Sequence, residues 1–270
     1  MKSIDAFIKS LFEREGIEAL GALPFGACRI INQRKLSRLD FVPKSAIVFL
    51  VPYRSGEYPD RTVSLYALAR DYHIFFREVG EKICDSAKTR FPDNHFERFA
   101  DSSPIDERKA ALDCGLGVKC ESGLIASERY GTYVFIGEIL CDLEYDKIEE
   151  KPFEASDVRL CPGCGKCKEA CPAKDGECQS ALTQKKGELT EDEREKIRSG
   201  LCWGCDVCQE VCPLNSQKEY SPIPFFSRDL IERPTLSLID SMSEEELSQR
   251  AWSWRGVDVI RRNLIIRNEK

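Results

Sequence analysis

Histidine and long apolar runs are both scarce in this chain. Its 270 residues include two histidines, so the sequence excludes a metal centre built from several histidines. The longest apolar run, Ala46 to Val51, is far shorter than the roughly 20 residues that a membrane-spanning helix needs. Since no apolar signal core follows Met1, we expect a cytoplasmic protein that does not enter a membrane.

The chain also has no excess of basic charge. Lys and Arg number 40 against 46 Asp and Glu, which gives a formal net charge of −6. The sequence therefore predicts no global positive field of the kind that draws proteins onto nucleic acid. A local basic group remains, comprising Arg255, Arg261, Arg262 and Arg267. These arginines either complement the end of a helix or contact nucleic-acid phosphates.

Cysteine, by contrast, is abundant. The chain has 14 cysteines, and most of them lie between residues 161 and 212. A chain of this length without a secretory signal is not a disulfide-stabilised miniature, so the cysteines favour ligation of a metal or an iron–sulfur cluster.

Two copies of one cysteine motif lie in this window. They are Cys161-x2-Cys164-x2-Cys167-x3-Cys171-Pro172 and Cys202-x2-Cys205-x2-Cys208-x3-Cys212-Pro213. In two-cluster ferredoxins a tight loop supplies three thiolates to a cubane, and the fourth comes from the other motif. The spacing predicts two 4Fe–4S clusters and single-electron transfer. Two zinc sites are the alternative, but zinc requires neither the third closely spaced cysteine nor the terminal Cys-Pro.

The ligands of the second cluster are not settled by spacing alone. Ferredoxin spacing assigns Cys161, Cys164, Cys167 and Cys212 to the first cluster. The same rule assigns Cys171, Cys202, Cys205 and Cys208 to the second. Cys178 is a ninth thiol in the same window, and a cubane pair needs only eight.

Apolar patterns predict alternating helices and strands before the cysteine window. Helical spacing marks Ile4 to Phe12 and Leu65 to Ile83, and strands are expected at 45–51, 96–100 and 133–140. Thr190 with Glu193 and Ser243 with Glu246 are capping-box signatures. These patterns predict an α/β (α+β) domain at 1–150, a ferredoxin-like domain at 151–225 and a C-terminal helical segment at 226–270.

Several stretches outside the cysteine motifs resemble one family in order along nearly the whole chain. They are Pro43-Lys44-Ser45, Asp71-Tyr72-His73, Asp101-Ser102-Ser103-Pro104-Ile105-Asp106-Glu107-Arg108, Gly115-Leu116-Gly117, Tyr130-Gly131-Thr132-Tyr133, Gly137-Glu138-Ile139, Cys178-Gln179-Ser180-Ala181-Leu182-Thr183, Trp254-Arg255-Gly256 and Arg261-Arg262-Asn263. Together with the cysteines they resemble the epoxyqueuosine reductases, a family of cobalamin-dependent reductases.

The resemblance implies a fold and a reaction. The N-terminal α/β domain would hold cobalamin, as in the reductive dehalogenases, beside the two-cluster module. Electrons would pass through the clusters to cobalt, and epoxyqueuosine at the wobble position of a tRNA would be reduced to queuosine. The resemblance also implies a small ferredoxin or flavodoxin as electron donor, and we expect a monomer.

The resemblance further implies roles for individual residues. Asp101 matches the family's proposed proton donor, and an acid near the substrate is chemically required because an oxygen must be protonated. Without the resemblance, an aspartate before Ser-Ser-Pro would be interpreted as a turn former or helix cap. His73, Arg108 and Tyr133 are the expected cofactor contacts. The expected cluster ligands, with Cys178 in place of Cys202, are Cys161, Cys164, Cys167, Cys171, Cys178, Cys205, Cys208 and Cys212.

The sequence departs from the family pattern at two places. Glu121-Ser122 stands where the family usually has Lys-Asn in its cobalamin-binding region. Many members continue into a C-terminal helical-repeat domain, and we therefore expect a short form here. Two other functions fit the same motifs: a related reductase that acts on a small molecule, and an electron carrier without a catalytic site.

Overall fold

The computed structural model describes residues 4–149, 151–173 and 176–268. The chain divides into two compact units, the first comprising Met1–Pro52 and Phe75–Gly163 and the second Tyr53–Ile74 and Cys164–Lys270. Residues 53–74 therefore belong to the same unit as the cysteine motifs from Cys164 onward, although they precede them by about a hundred residues in sequence.

A four-stranded antiparallel sheet forms the centre of the first unit, with the strand order β1-β2-β6-β3. The strands of this unit are β1 (Ala19–Pro24), β2 (Ser45–Pro52), β3 (Phe96–Ala100), β4 (Val118–Lys119), β5 (Ile125–Ala126) and β6 (Val134–Cys141). The short strands β4 and β5 pair with each other in a separate two-stranded sheet. The mixed helix and strand content that the sequence predicts is confirmed.

Strand β2 is the most buried element of the first unit, since all eight of its residues are buried. Its continuous apolar run explains this, because a strand covered on both faces has no need of alternating polar residues. On β6, Gly137 leaves room for Phe49 and Phe76, whose ring atoms would come within about 2.4–2.5 Å of an added Cβ.

Helices cover this sheet and connect its strands. They are α1 (Ala6–Glu13), α2 (Gln33–Leu36), α3 (Tyr72–Arg90) and α4 (Glu107–Asp113). Asp5 caps α1, because its carboxylate accepts hydrogen bonds from the amides of Phe7 and Ile8 at 3.0 and 3.1 Å. Helix α4 packs Ala110, Ala111 and Leu112 into the same apolar core as Val48 and Leu140.

The second unit is built from short helices and turns. Its helices are α5 (Lys166–Ala170), α6 (Gln179–Thr183), α7 (Glu191–Ser199), α8 (Val207–Glu210), α9 (Leu236–Ser241), α10 (Glu244–Ser248) and α11 (Val257–Asn268). Both predicted capping boxes are confirmed at the starts of α7 and α10. Asn263 of α11 is fully buried and donates to the carbonyl oxygens of Thr183 and Cys202 at 2.7 and 2.9 Å.

Two sequence expectations about regular structure were wrong. Helix α3 begins at Tyr72 rather than Leu65, because the Asp71 carboxylate accepts a hydrogen bond from the His73 amide at 2.9 Å and fixes the helix start. Strand β1 went unrecognised because Gly21 and Pro24 suggest turns. Gly21 is required there by close packing, since an added Cβ would lie 2.7 Å from the Cβ of Cys114.

No helix in the described part of the chain is both long enough and apolar enough to span a membrane.

Candidate functional site

A small cavity in the first unit contains the predicted acid. Its volume is about 220 Å³. The residues that line it are Asp101, Glu107, Arg108, Gly123, Leu124, Ile125, Thr132, Val134, Phe135 and Ile136. The walls are therefore mostly apolar, with two carboxyl groups and one guanidinium as charged groups. This composition is typical of a site for a small, largely apolar group held by a few polar contacts.

Asp101 lies between the end of β3 and the start of α4, in a strained backbone conformation. Its φ of 56° is in the left-handed region, which a non-glycine residue adopts at some cost in free energy. Asp101 is exposed. The loop is fixed beside it, because Lys35 donates to the backbone oxygen of Ser102 at 2.6 Å. The fold therefore presents the Asp101 carboxylate at the cavity rather than burying it.

The more buried acid of this cavity is Glu107, at the start of α4. Burial raises the pKa of Glu107 to about 7, and the negative charge of Asp101 acts in the same direction. A hydrogen bond from the backbone of Asp101 and the positive charge of Arg108 oppose the shift. One oxygen of Glu107, Oε2, is buried without a hydrogen-bond partner. Glu107 is therefore partly protonated near neutral pH.

Strand β6 carries a second buried carboxyl group, Glu138, on which the charge of Glu107 acts. Glu138 is 1% exposed, and burial raises its pKa to about 8, with the charge of Glu107 adding to the effect. The hydroxyl of Ser103 donates to Glu138 Oε2, which lowers the pKa in part. No described residue pairs with Glu138 Oε1, which is also buried. Near neutral pH, burial thus keeps Glu138 largely protonated and Glu107 partly protonated.

The three predicted cofactor contacts belong to two different units. Arg108 lines the cavity, is exposed, and donates to the Gly123 carbonyl at 3.2 Å. Tyr133 is buried just before β6, with 5% of its surface exposed. His73 belongs to the second unit, where its Nδ1 lies 2.8 Å from the Asp71 carboxylate and its ring stacks on Tyr72. Arg108 is thus the one member of this trio that lines the cavity.

Four cysteine thiols of the second unit influence one another electrostatically. Burial raises the pKa of Cys208 to about 11, and the charges of Cys205, Cys178 and Cys171 act in the same direction. Burial also raises the pKa of Cys205, on which Cys178 and Cys171 again act. Because such interactions weaken with distance, these four thiols are neighbours. In a cubane each thiolate binds its own iron atom, so cluster ligands stand farther apart than the ligands of one metal ion.

Cys202 lies in a different environment. Its side chain is fully buried, and its thiol donates to the backbone oxygen of Thr62 at 3.0 Å. Burial raises the pKa of Cys202 to about 11, and no other cysteine contributes to that shift. A thiol in this setting behaves as a small apolar group that packs the interior.

Asp206 fixes the loop between Cys205 and Cys208. Its carboxylate is 1% exposed and accepts from the Leu65 amide at 2.8 Å and from Arg61 Nη2 at 3.1 Å. The hydroxyl of Ser64 also donates to it. The ligand loop is therefore bound to residues 61–65 through one buried acid.

A larger groove of about 640 Å³ opens beside Cys178. It is lined by Glu177, Cys178, Ser180, Ala181, Gln184, Lys185, Lys186 and Arg255. Cys178 and Lys186 are exposed. Arg255 lies over the exposed ring of Trp254, with its guanidinium carbon 3.8 Å from the ring centroid. Lys185 is ion-paired with Glu193. Lys186 and Arg255 against Glu177 leave the groove with a net positive charge.

Two of the C-terminal arginines are engaged within the second unit itself. Arg261 forms an ion pair with Asp240. Arg262 donates to the carbonyl oxygens of Lys185 and Gly187 at 2.8 and 2.7 Å. These contacts favour a structural role for both side chains and leave Arg255 as the arginine that faces the groove.

Comparison with known proteins accounts for both the cysteine motifs and the remainder of the chain. Residues 160–216 match the 4Fe-4S dicluster domain family. The epoxyqueuosine reductase of Lactococcus garvieae is 30% identical over 256 residues, which are 86% of this chain and 70% of that protein. The chain belongs to the epoxyqueuosine reductase family. It carries two 4Fe–4S clusters and is an oxidoreductase.

Other epoxyqueuosine reductases extend the comparison. The Bacillus subtilis protein is 31% identical over 212 residues, and this chain spans 53% of its length. An epoxyqueuosine reductase solved with an epoxyqueuosine-modified tRNA-Tyr stem loop is 25% identical, with a TM-score of 0.75. That match covers 96% of this chain and 79% of the solved one. The fold of the epoxyqueuosine reductases therefore extends over nearly all of this chain.

Sequence reasoning proposed roles for the cysteines and Asp101 but none for Glu138 or Asp206. For Glu107 it offered a surface pair with Arg108 or, through the family resemblance, a role near the site. Nothing in the sequence distinguishes these three carboxylates from the other acidic residues. Their roles depend on burial and on partners that come from distant segments, which only the folded chain brings together.

Glu138 provides a test of the carboxyl pair through stability. Between about pH 4.5 and about pH 8, Glu138 is protonated in the folded chain and ionised in the unfolded chain. The folded state then binds more protons, so the free energy of unfolding falls as pH rises through this window. Glu138→Gln cannot ionise, and we expect it to flatten this dependence in urea unfolding experiments.

The matched control is Glu97→Gln, an exposed carboxyl on the neighbouring strand β3, which should leave the dependence unchanged. An equally steep fall in the Glu138→Gln protein would show that this side chain is ionised in the fold.

Proposed function

We propose that this chain reduces epoxyqueuosine in tRNA to queuosine, with electrons supplied through its two 4Fe–4S clusters. The observation that carries the proposal is the similarity over 96% of the chain to an epoxyqueuosine reductase bound to a modified tRNA stem loop. The dicluster match supports the electron path. A tRNA substrate also favours the cytoplasm, where tRNA is modified, and we propose a monomeric protein there.

We propose Asp101 as the acid that protonates the epoxide oxygen. The carboxylate is exposed, lines the 220 Å³ cavity and is held in a left-handed backbone conformation. Strain of this kind persists where the surrounding structure imposes it, and it is often found at functional sites. The apolar walls formed by Ile125, Val134 and Ile136 suit the five-membered carbon ring that bears the epoxide.

We propose Cys171, Cys178, Cys205 and Cys208 as the ligands of one cluster. The effect of Cys171 and Cys178 on the pKa of Cys205 and Cys208 supports this set, and the separate environment of Cys202 argues against its inclusion. The other cluster would take Cys161, Cys164, Cys167 and Cys212. Thiols are the donors that iron–sulfur clusters prefer, so the residues present fit both clusters. When bound, the clusters supply one electron at a time.

The cavity that contains Asp101 does not by itself enclose a cobalamin. The cavity of about 220 Å³ is below the ~300–1,000 Å³ of pockets that enclose drug-sized ligands, and a corrin ring is larger than such a ligand. Of the proposed contacts, Arg108 alone lines this cavity. We retain cobalamin as the proposed cofactor on the strength of the family resemblance, and the steps described here concern the residues of the chain.

We propose that a small acidic electron carrier, such as a ferredoxin or flavodoxin, docks at the groove beside Cys178. Electrons must enter near an exposed cluster ligand, and Cys178 is exposed at this groove. Lys186 and Arg255 give the groove a positive charge that complements an acidic carrier. Such complementarity raises the rate of encounter between partners.

Iron content tests the ligand assignment. After anaerobic reconstitution with iron and sulfide, we expect about eight irons per chain in the unaltered protein and in Cys202→Ala, as two cubanes require. Cys178→Ala should lose part or all of one cluster, because a fourth thiolate is missing. The reverse pattern, with iron lost from Cys202→Ala and kept in Cys178→Ala, would restore the simple ferredoxin assignment.

Turnover on an epoxyqueuosine-modified tRNA stem loop tests the function. The protein reconstituted with iron, sulfide and cobalamin should form queuosine, and Asp101→Asn should lower the rate by about 10²–10⁴-fold. Asparagine tolerates the left-handed conformation, so the variant should keep its backbone and its clusters.

Asp85→Asn, an exposed change on α3, is the matched control and should keep full activity. Full activity in Asp101→Asn would contradict its role. Eight irons with no turnover in the unaltered protein would contradict the reductase function and favour an electron carrier.

Stopped-flow reduction tests the donor groove. Lys186→Glu combined with Arg255→Glu should slow cluster reduction by a reduced flavodoxin at least ~10-fold at low salt, because charge complementarity is reversed. Reduction by dithionite, which needs no protein docking, should stay the same. Lys88→Glu, on α3 and outside the groove, is the control. Unchanged reduction by flavodoxin with weakened tRNA binding would assign the groove to tRNA instead.

A further inference from the structure

The proposed reaction consumes two protons, whereas one carboxyl group holds one. Conversion of an epoxide into an alkene removes the oxygen as water, which consumes two electrons and two protons. The two C–O bonds break, a C=C bond forms, and the oxygen gains two O–H bonds. A single acid supplies one of these protons, so a second proton source is required within each turnover.

The geometry of the Asp101 loop points to the source. Glu107 lines the same cavity as Asp101, and the backbone of Asp101 donates a hydrogen bond to the Glu107 carboxylate. The Asp101 carboxylate acts on Glu107 as a negative charge. Two carboxyl groups placed in this way share protons, since ionisation of one opposes ionisation of the other.

The surroundings of Glu107 favour its protonated form. Asp101, Asp106 and Glu138 are the acidic groups that face it, and Arg108 is the facing cation. The negative charges of Asp101 and Asp106 oppose ionisation of Glu107 and the positive charge of Arg108 favours it, while the burial of Glu107 Oε2 without a partner also opposes ionisation. The exposed face of the pair belongs to Asp101 and its buried face to Glu107.

We propose that Glu107 is the proton reserve of this site, and that it recharges Asp101 within each turnover. Asp101 gives its proton to the leaving oxygen and becomes a carboxylate. Glu107 then passes its proton to Asp101, which delivers the second proton to the same oxygen. Water leaves, and both carboxyl groups regain their protons from solvent. Glu107 acts through Asp101 and is a positioning residue in this scheme.

This inference rests on the proposed reductase function, but part of its test does not. Infrared spectroscopy of the reconstituted protein should show a protonated carboxyl band that titrates near pH 7. The band should disappear in Glu107→Gln and persist in Glu97→Gln. This measurement requires no substrate, so it reports on Glu107 even if epoxyqueuosine proves not to be reduced.

Activity on the tRNA stem loop completes the test. Turnover of the unaltered protein should fall as pH rises through about 7, where Glu107 loses its proton. Glu107→Gln keeps a hydrogen-bond acceptor for the Asp101 amide but holds no transferable proton. We expect at least ~10-fold slower turnover and loss of the pH limb near 7. Glu107→Asp, which restores an acid, should recover part of the rate with the pH limb shifted.

Two results would overturn the proposal. One is a Glu107→Gln protein with an unchanged rate and pH profile. The other is a Glu107→Asp protein as slow as Glu107→Gln with full iron content, which would assign Glu107 a role in packing alone. A protein that shows the infrared band but never forms queuosine would refute the proposed function and the proton relay, and would leave only the shared proton.

Discussion

The buried carboxylate of Asp206 is the interaction on which the ordering of the cysteine region depends. It lies between two cysteines that are proposed to bind the same cluster, and it joins their loop to Arg61, Ser64 and Leu65. A buried ion pair costs desolvation energy, and it is tolerated where further hydrogen bonds satisfy the charge. Here a hydroxyl, an amide and a guanidinium do so. The acid thereby imposes one conformation on a loop whose thiolates must hold fixed positions.

Glycine 204 adds a steric constraint to the same junction. Its φ of 74° suits glycine, and an added Cβ would come within 2.5 Å of the Cβ of Ser64. Its amide donates a hydrogen bond to the hydroxyl oxygen of Thr183 at 2.8 Å. The ligand loop is therefore held by close packing as well as by charge.

The two units surround their buried acids, Asp206 and Glu138, with different groups. Asp206 is given a cation, Arg61, in addition to its hydrogen bonds. Glu138 is given only the Ser103 hydroxyl, and the charge that acts on it from Glu107 is negative. A carboxyl group without a cation avoids the cost of a buried charge by keeping its proton. An ion pair thus contributes to the fixed geometry of the loop in one unit, while burial without a cation favours the protonated form of Glu138 in the other.

Sequence alone was informative where structure follows from local spacing. The cubane motif is local, because three ligands come from one tight loop, and the apolar run of β2 needs no partner to be recognised. The sequence was uninformative where segments that are distant along the chain meet in the fold. Spacing could not separate Cys178 from Cys202, since that distinction depends on the Thr62 carbonyl that holds Cys202. Burial of Glu107 and Glu138 depends likewise on how α4 and β6 are covered.

The interleaving of the two units has a consequence for how this protein can be divided. Arg61, Ser64 and Leu65 belong to a segment that the chain inserts between two parts of the first unit. A gene fragment that begins at residue 151 would contain all nine cysteines considered as ligands, from Cys161 to Cys212. It would nevertheless lack Arg61, Ser64 and Leu65, which donate hydrogen bonds to the Asp206 carboxylate. The cysteine region is thus not an independent module. A recombination event that transfers it would also have to transfer residues 53–74.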